Sequence, residues 1–413
     1  MVAAPLKSVP ATNRQISNGL VSKTHEYKIK NTIVSESSMI FFAFCSDTKQ
    51  RVVIKILRKY EDTRYSLADP QKRLACQIEA LKWNQKFTPS IYLGLGTIVE
   101  VGLDEIEQEV KENRLHSLSI ENITNDLQQL ADISHPQYEY ALVMESLPKE
   151  RRLDILLQKK NIDSIHEILE ALVKRIVEMH VSAPHADMVA PESEEKPWGS
   201  YGQLQDKLLH NMGLFDNLKR LDDQSFYRTY GWLKEALLAI SKNPVWSDLF
   251  EERLERERVK RCHGDLKARN IWIELTENTG DAKYRVRLLD AIDFNPSYCN
   301  IDVLSDIAML IIDVQAVDTH LHEHNWVGTR GWDLAQFVLE TYFAYAKEEE
   351  DNKATRMVLT YYLLEKALVR ASISLFYDRD EYPQLGPYFL RIAVRYMKQL
   401  QALVSENSSA FVD

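Results

Sequence analysis

The 413-residue chain contains only four cysteines, and none of them stands in C-x-x-C spacing. Cysteines scattered in this way argue against a zinc site and a disulfide framework, and they are typical of a reducing compartment. No apolar run approaches the roughly 18 residues that a membrane-spanning helix needs. The first 20 residues lack the uninterrupted apolar core of a secretory signal. We therefore predict a cytoplasmic protein without a membrane partner.

Positive charge is in deficit: 51 Lys and Arg stand against 61 Asp and Glu, which gives a formal net charge of −10. This balance argues against broad binding to nucleic acid phosphates. Hydrophobic residues nevertheless make up 45% of the chain, enough for a large buried core. The length predicts two or three domains or lobes of roughly 100–200 residues each.

The hydrophobic pattern changes character along the chain. Residues 25–148 are rich in short β-like runs, and from Arg151 onward apolar residues recur at the three- and four-residue steps of helices. A polar, acid-rich insertion covers residues 104–132. We predict an α+β protein with a tail over 1–24, a small β-rich N-terminal lobe over 25–148 and a large helical C-terminal lobe over 149–413.

The most informative motif is the run His263–Asn270, which has the form H-x-D-x-x-x-x-N. This spacing is typical of enzymes that transfer a phosphoryl group from ATP to a hydroxyl. Such a transfer needs a carboxylate that orients or deprotonates the acceptor, and oxygen ligands for magnesium. Asp265 is the candidate base and Asn270 a candidate metal ligand.

A second acidic motif follows the loop. Two alternating runs, Ile271–Leu275 and 284–289, predict a hairpin that brings the end of its second strand back beside residues 262–270. That strand runs into Asp290, which we expect to face Asn270 across a shared magnesium site. Asp293, three residues on, is either a second metal ligand or a residue of the pocket wall.

The N-terminal lobe supplies the candidate nucleotide-binding residues. Lys55 lies inside the β-branched strand Arg51–Leu57, where its ammonium could contact phosphates. Glu79, on the helix predicted over 70–86, is the natural partner for that ammonium. The strand ending in Met144, Glu145 and Leu147 matches a hinge where backbone groups bind an adenine edge, although a plain buried strand would have the same pattern.

Three other polar positions carry open alternatives. His263 is expected to hold the loop rather than to react, and Lys267 either reaches the transferred phosphate or is a solvated lysine. Asp306 is either a helix cap or a brace that accepts backbone N–H groups of the loop. Three histidines alternate along one segment: His320, His322 and His324. A surface loop is favoured over a metal site for this segment.

These motifs resemble those of the aminoglycoside phosphotransferase and choline kinase-like superfamily. The likeness rests on His263–Asn270, Leu289-Asp290 and Asp306-Ile307-Ala308. The run Asp290–Asn295 with the following Ile301-Asp302-Val303 is more specifically similar to an uncharacterised bacterial phosphotransferase-like subgroup. The resemblance spans most of residues 25–375, but only its 262–310 block is specific.

The resemblance implies a two-lobed protein-kinase-like fold, ATP, Mg²⁺ and transfer to a hydroxyl of a small molecule. It implies Asp265 as the base and Asn270 and Asp290 as metal ligands. It also implies Lys55 with Glu79 as the pair that positions the phosphates. It fixes neither the acceptor nor an oligomeric state.

The chain departs from this pattern at its first turn, Ser35–Ser38, which has no glycine to cover the phosphates. A nucleotide-binding pseudokinase that acts as a scaffold or sensor is therefore the alternative to an enzyme. A protein kinase fits less well, because no Ala-Pro-Glu element follows Asn295. A Walker A motif is also absent from the sequence.

Overall fold

The computed structural model describes residues 23–61, 66–133, 138–159, 164–186, 197–216, 224–276, 283–317, 330–347, 352–376 and 385–410. The tail predicted over residues 1–24 thus lies outside the described residues up to residue 22. The three alternating histidines of residues 320–324 lie outside them as well.

Six antiparallel strands close into a barrel in the N-terminal part, in the order β1-β2-β3-β6-β4-β5. The strands are β1 (Thr24–Val34), β2 (Ser38–Cys45), β3 (Arg51–Leu57), β4 (Tyr92–Val99), β5 (Ser117–Thr124) and β6 (Tyr140–Glu145). Along β3, Val52, Ile54 and Ile56 are buried in the barrel core. Because side chains alternate along a strand, Lys55 lies on the opposite face of β3.

The acid-rich insertion contributes a strand that the sequence pattern did not predict. It folds as α2 (Leu103–Lys111), β5 and α3 (Leu127–Ala131), and β5 pairs with both β1 and β4. Only Leu118 and Ile120 of β5 are fully buried, so its alternation is too short to stand out among polar neighbours. Without β5 the barrel would remain open.

Helix α1 (Pro70–Phe87) packs outside the barrel against β4 and β6. Its start is well specified, because Pro70 occupies the first turn and the Asp69 carboxylate accepts a hydrogen bond from the Gln71 amide at 2.9 Å. Its last turn and the residues that follow reach the helical part of the molecule.

The C-terminal part is helical, as predicted. Its described helices are α4 (Leu153–Gln158), α5 (Ile165–Ser182), α6 (Tyr201–Asp216), α7 (Gln224–Ile240), α8 (Val245–Glu255), α9 (Val303–Val317), α10 (Arg330–Tyr345), α11 (Lys353–Phe376) and α12 (Gly386–Ala410). Helix α9 is buried from residue 303 to residue 316 and packs against α10 and α11. A helix buried on all sides is the core of its domain, so groups mounted on α9 are rigidly placed.

Two short sheets interrupt the helices: β7 (Val259–Arg261) pairs with β10 (Asn300–Asp302), and β8 (Ile271–Leu275) pairs with β9 (Tyr284–Leu288). The β8–β9 hairpin was predicted. In the structure Ile271 lies opposite Leu288. The pair β7–β10 has three residues a strand, too few for a periodic signal. Among the described helices, none is both long and apolar enough to cross a membrane.

Candidate active site

The run His263–Asn270 is the loop between β7 and β8 and ends in a short 3₁₀ turn at Ala268–Asn270. Gly264 takes a φ of +84°, a conformation that side chains disfavour. A Cβ placed there would lie 2.5 Å from the carbonyl oxygen of Tyr298. The loop therefore requires glycine at its second position.

Asp306 of α9 holds the start of this loop. Its two carboxylate oxygens accept hydrogen bonds from the amides of His263 (3.0 Å) and Gly264 (2.8 Å). His180 Nε2 lies 3.2 Å from the same carboxylate, which is fully buried. Burial alone would raise the pKa of Asp306, but these partners hold it below its usual value. Of the two alternatives for Asp306, the structure contains the loop brace.

Asp313, seven residues along α9, holds the other end of the loop. Its carboxylate accepts a hydrogen bond from the Ala268 amide at 2.7 Å and pairs with Arg370 at 2.9 Å. Seven residues are about two helical turns, so Asp306 and Asp313 lie on one face of α9. This role of Asp313 was not predicted; the available signal was a second acid at this spacing in an apolar helix.

His263 is buried and holds the loop through both ring nitrogens. Its Nε2 lies 3.1 Å from the carbonyl oxygen of Leu289, and the amide of Asp265 donates to its Nδ1 at 3.3 Å. The ring stacks on Phe87 with centroids 5.8 Å apart. Burial lowers the pKa of His263, which keeps the imidazole neutral. These contacts place His263 in the framework of the loop.

The carboxylate of Asp265 contacts two other residues of the motif. It accepts hydrogen bonds from the Lys267 ammonium and, at 3.0 Å, from the amide nitrogen of Asn270. Burial would raise the pKa of Asp265, but the charge and hydrogen bond of Lys267, together with the charges of Arg269 and His263, outweigh it and lower the pKa to about 2. Burial in turn lowers the pKa of Lys267. The side-chain nitrogen Nδ2 of Asn270 points to Asp265. The side-chain oxygen Oδ1 of Asn270 therefore points away from that carboxylate.

Asp290 follows β9 in a strained backbone conformation, with φ of +60°. Its amide donates to the hydroxyl of Tyr92 at 3.1 Å, and the next amide, that of Ala291, donates to Asn84 Oδ1 at 3.0 Å. Tyr92 donates its own hydroxyl proton to Asn84 Oδ1 at 3.0 Å. Two residues from the barrel side of the chain therefore fix the backbone around Asp290.

Thr88, just beyond α1, forms a clamp on this segment together with Asn84 and Tyr92. Its hydroxyl donates to the carbonyl oxygen of Leu288 at 2.7 Å and accepts from the amide of the same residue at 2.8 Å. On the other side, the backbone amide of Leu289 donates to the backbone carbonyl oxygen of Asn270 at 2.9 Å. The segment that contains Asp290 is thus bonded to both α1 and the loop His263–Asn270. Sequence reasoning did not find the clamp, because its partners are about 200 residues apart.

Lys55 reaches this segment from β3. Its Nζ lies 3.2 Å from Asp290 Oδ1 and 3.7 Å from Asp293 Oδ2. Burial alone would lower the pKa of Lys55, but the two carboxylates outweigh it and raise the pKa. The charge of Lys55 correspondingly lowers the pKa of Asp290, whereas burial raises that of Asp293. Asp290 also interacts electrostatically with Asp265.

The predicted pair between Lys55 and Glu79 is not present. Glu79 instead accepts hydrogen bonds from Lys82 at 3.0 Å and from the indole N–H of Trp83 at 2.8 Å. Its side chain is 46% exposed. The helix was placed correctly by the sequence, but Cys76 rather than Glu79 is the α1 side chain that interacts electrostatically with Lys55.

The residues predicted to form the hinge lie at the end of β6 and just beyond it. Met144 and Leu147 are half-buried and pack against the apolar cluster that contains Leu289, with Trp272 of β8 beside them. The side chain of Glu145 is exposed, and its amide donates to the carbonyl oxygen of Ile91 at 2.9 Å. This apolar cluster joins the end of the barrel to the hairpin that follows the loop His263–Asn270.

No protein-family model matches the chain, and no curated protein sequence matches it. Among solved structures, choline kinase from Cryptosporidium parvum Iowa II is 13% identical, with a TM-score of 0.51 and 93% of each chain covered. An ethanolamine kinase from Plasmodium vivax is 10% identical, with a TM-score of 0.46, covering 90% of this chain and 82% of its own. Spectinomycin phosphotransferase, solved with ADP and spectinomycin, is 10% identical, with a TM-score of 0.42, covering 91% and 93%.

The predicted resemblance is confirmed at the level of the fold. The alignment with the Cryptosporidium choline kinase runs over nearly the whole of both chains at low identity, so it speaks to architecture and not to substrate. The β-rich N-terminal part and the helical C-terminal part agree with that architecture. The chain therefore has the choline kinase-like fold that its catalytic-loop motif led us to expect.

Proposed function

We propose that the protein is an ATP- and Mg²⁺-dependent phosphotransferase that moves the γ-phosphoryl group to a hydroxyl of a small molecule. The observation that carries this proposal is the convergence of one ammonium, two carboxylates and one amide from distant parts of the chain. Lys55 contacts Asp290, and Asp265 contacts Asn270, while Asn270 is bonded through its backbone to the residue before Asp290. Phosphoryl transfer is mainly a matter of position and charge, and this set supplies both.

The nucleotide would lie between two lobes, a β-rich one up to residue 148 and a helical one beyond. The half-buried side chains of Met144, Leu147 and Trp272 offer an apolar slot for the base. Lys55, on the cleft face of β3, would then contact the phosphates. The backbone at Glu145 and Leu147 would bind the adenine edge.

The residues present suit a magnesium ion. Asp290 offers a carboxylate that is 61% exposed, and the side-chain oxygen Oδ1 of Asn270 is turned away from Asp265. Hard oxygen ligands of this kind, with phosphate oxygens and water, are what Mg²⁺ takes in kinases. When bound, the metal would neutralise charge on the phosphates.

Asp265 would orient the acceptor hydroxyl. Its low pKa means that it carries a full negative charge at neutral pH and is a weak base. A loose transition state needs little proton removal before the bond to phosphorus forms, so orientation is the main contribution of such a carboxylate. Lys267, paired with Asp265, would reach the transferred phosphoryl group as it approaches.

A pseudokinase remains the second candidate, because of the turn at Ser35–Ser38. That turn is closed on itself: the Ser35 amide donates to the Ser38 carbonyl at 2.8 Å, and the two hydroxyls are 2.9 Å apart. Arg58 also donates to the Ser35 carbonyl at 2.7 Å. A turn tied in this way offers fewer backbone N–H groups to phosphates than a glycine-rich one does.

One experiment separates the candidates. Thermal shifts with ATP, with and without Mg²⁺, report binding, and ADP release is then measured over amino alcohols, sugars and aminoglycosides. The enzyme proposal expects metal-dependent binding and turnover with at least one acceptor class. Asp265→Ala is expected to abolish turnover while leaving nucleotide affinity within about threefold of the wild type. Binding without turnover over the whole panel would favour the pseudokinase, and equal loss of binding and activity in the variant would contradict the role given to Asp265.

A further inference from the structure

The two carboxylates beside Lys55 differ in depth. Asp290 is 61% exposed, whereas the side chain of Asp293 is 8% exposed and lies 3.7 Å from Lys55 Nζ. An exposed carboxylate at the open side of the cleft is accessible to a metal ion and its water ligands. A buried carboxylate is accessible mainly to the ammonium already beside it, so the two acids are suited to different tasks.

Helix α1 presents a thiol, and not a carboxylate, to this ion pair. Cys76 is buried and interacts electrostatically with both Asp293 and Lys55. Burial raises the pKa of the Cys76 thiol, which therefore stays protonated and able to donate. The helix thus contributes a neutral hydrogen-bond donor at the place where a charge was predicted.

Glu79 cannot serve Lys55 from its present position. Both of its carboxylate oxygens are engaged on the same helix, one with Lys82 and the other with the Trp83 indole. Pairs three and four residues apart are local helix contacts, and they keep the Glu79 side chain along the surface of α1.

We propose that Asp293, oriented by the Cys76 thiol, is the carboxylate that positions Lys55 for the nucleotide phosphates. The acid needed for this task thereby comes from the segment after β9 instead of from α1. Asp290 and Asn270 are left as the metal ligands, which resolves the alternatives for Asp293 in favour of the pocket wall. The inference rests on the proposed function, because it assigns Lys55 to phosphates.

The need for this second acid follows from charge. In the structure Lys55 shares Asp290 and Asp293. A metal ion competes for the exposed Asp290, and Lys55 then keeps a fixed partner only if the buried carboxylate remains beside it. Asp293 is therefore a positioning residue that acts through Lys55 and touches neither metal nor acceptor.

A pair of double-mutant cycles tests this inference. Lys55→Met is combined with Asp293→Asn in one cycle and with Glu79→Gln in the other, so that a carboxylate becomes a carboxamide in both. Urea unfolding gives the coupling free energy without nucleotide, and calorimetry with Mg²⁺ and a non-hydrolysable ATP analogue gives it for binding. We expect Lys55 and Asp293 to couple by roughly tenfold in the equilibrium constants, and Lys55 and Glu79 by less than twofold.

Rescue provides a second measurement. Cys76→Glu in the Asp293→Asn background returns a carboxylate to the helix, and it is expected to recover part of the lost kcat/KM. The Mg²⁺ concentration for half-maximal binding of the analogue should stay within about twofold of wild type in Asp293→Asn. If Asp293→Asn does not fold, Cys76→Ser and Cys76→Ala each replace it in the cycle with Lys55→Met. Only the alanine variant should then show coupling to Lys55, because serine keeps a hydroxyl that can donate to Asp293.

Two results would overturn the inference. One is coupling of Lys55 to Glu79 that equals or exceeds its coupling to Asp293. The other is a raised Mg²⁺ requirement in Asp293→Asn that persists in the Lys55→Met background, since that would make Asp293 a metal ligand. If the wild type binds no nucleotide, the proposed function fails, while the coupling measured by unfolding still decides whether Asp293 is the partner of Lys55.

Discussion

Replacing Asp306 by asparagine removes a negative charge from beneath the loop His263–Asn270 without a change of shape. The carboxylate now accepts from the amides of His263 and Gly264 and lies 3.2 Å from His180 Nε2, all in a fully buried site. A carboxamide has one accepting oxygen, so its nitrogen must face at least one N–H group that it cannot accept from.

The cost follows from these contacts. A buried donor left without an acceptor costs about 1–3 kcal/mol, and the remaining bonds lose their charge assistance. We expect Asp306→Asn to weaken the loop by about 3 kcal/mol, which is roughly 150-fold in the equilibrium for local opening. Because Asp265 is carried on this loop, kcat should fall together with the protection of the loop.

Hydrogen exchange measured by mass spectrometry on peptides that cover residues 262–270 reports this opening directly. Glu255→Gln makes the same chemical change at an exposed position of α8 and should alter stability by less than about 0.5 kcal/mol. Loop exchange in Asp306→Asn that is indistinguishable from exchange in Glu255→Gln would refute the view that this carboxylate holds the loop.

Three further predictions concern the framework of the site. Gly264→Ala should cost about 2–4 kcal/mol in urea unfolding, because the φ of +84° strains alanine and its Cβ would meet the Tyr298 carbonyl oxygen; a loss below about 1 kcal/mol would show that the loop can relax. Tyr92→Phe removes the acceptor of the Asp290 amide, so we expect a loss of about 1–2 kcal/mol and a higher Mg²⁺ requirement for nucleotide binding, and an unchanged requirement would count against the clamp. Burial lowers the pKa of His263, so below about pH 6.5 the unfolded chain binds a proton that the folded chain does not, and the free energy of unfolding should fall as the pH drops below that value. In urea titrations at several pH values, His263→Gln should show a shallower dependence of this free energy on pH. An equal dependence in the variant and the wild type would contradict a neutral buried imidazole.

Local spacing carried most of what the sequence predicted correctly. The loop His263–Asn270, the β8–β9 hairpin and the position of Lys55 within strand β3 all depend on neighbours within a few residues. Alternation and turn chemistry set such features directly. The fold then follows, because a short β-rich part and a long helical part leave few arrangements that bury both.

The errors have a different origin. A helix pattern gives the position of α1 along the chain but not its rotation, and that rotation decides whether Cys76 or Glu79 meets Lys55. The contacts of Asp313 with Ala268 and of Thr88 with Leu288 join segments far apart in sequence. Such pairings depend on the assembled core: the spacing of Asp313 from Asp306 can mark a residue as unusual, but it does not identify the partner of that residue.

The clamp formed by Asn84, Thr88 and Tyr92 is also a mechanical joint. The barrel and the helices are connected covalently after Glu145, and this clamp joins them a second time. A rotation of the barrel against the helices that keeps both attachments intact is confined to the axis that runs through them. Asp290, tied at its own amide to Tyr92 and through its neighbour to Asn270, lies next to one of these attachments and would be displaced least by such a rotation.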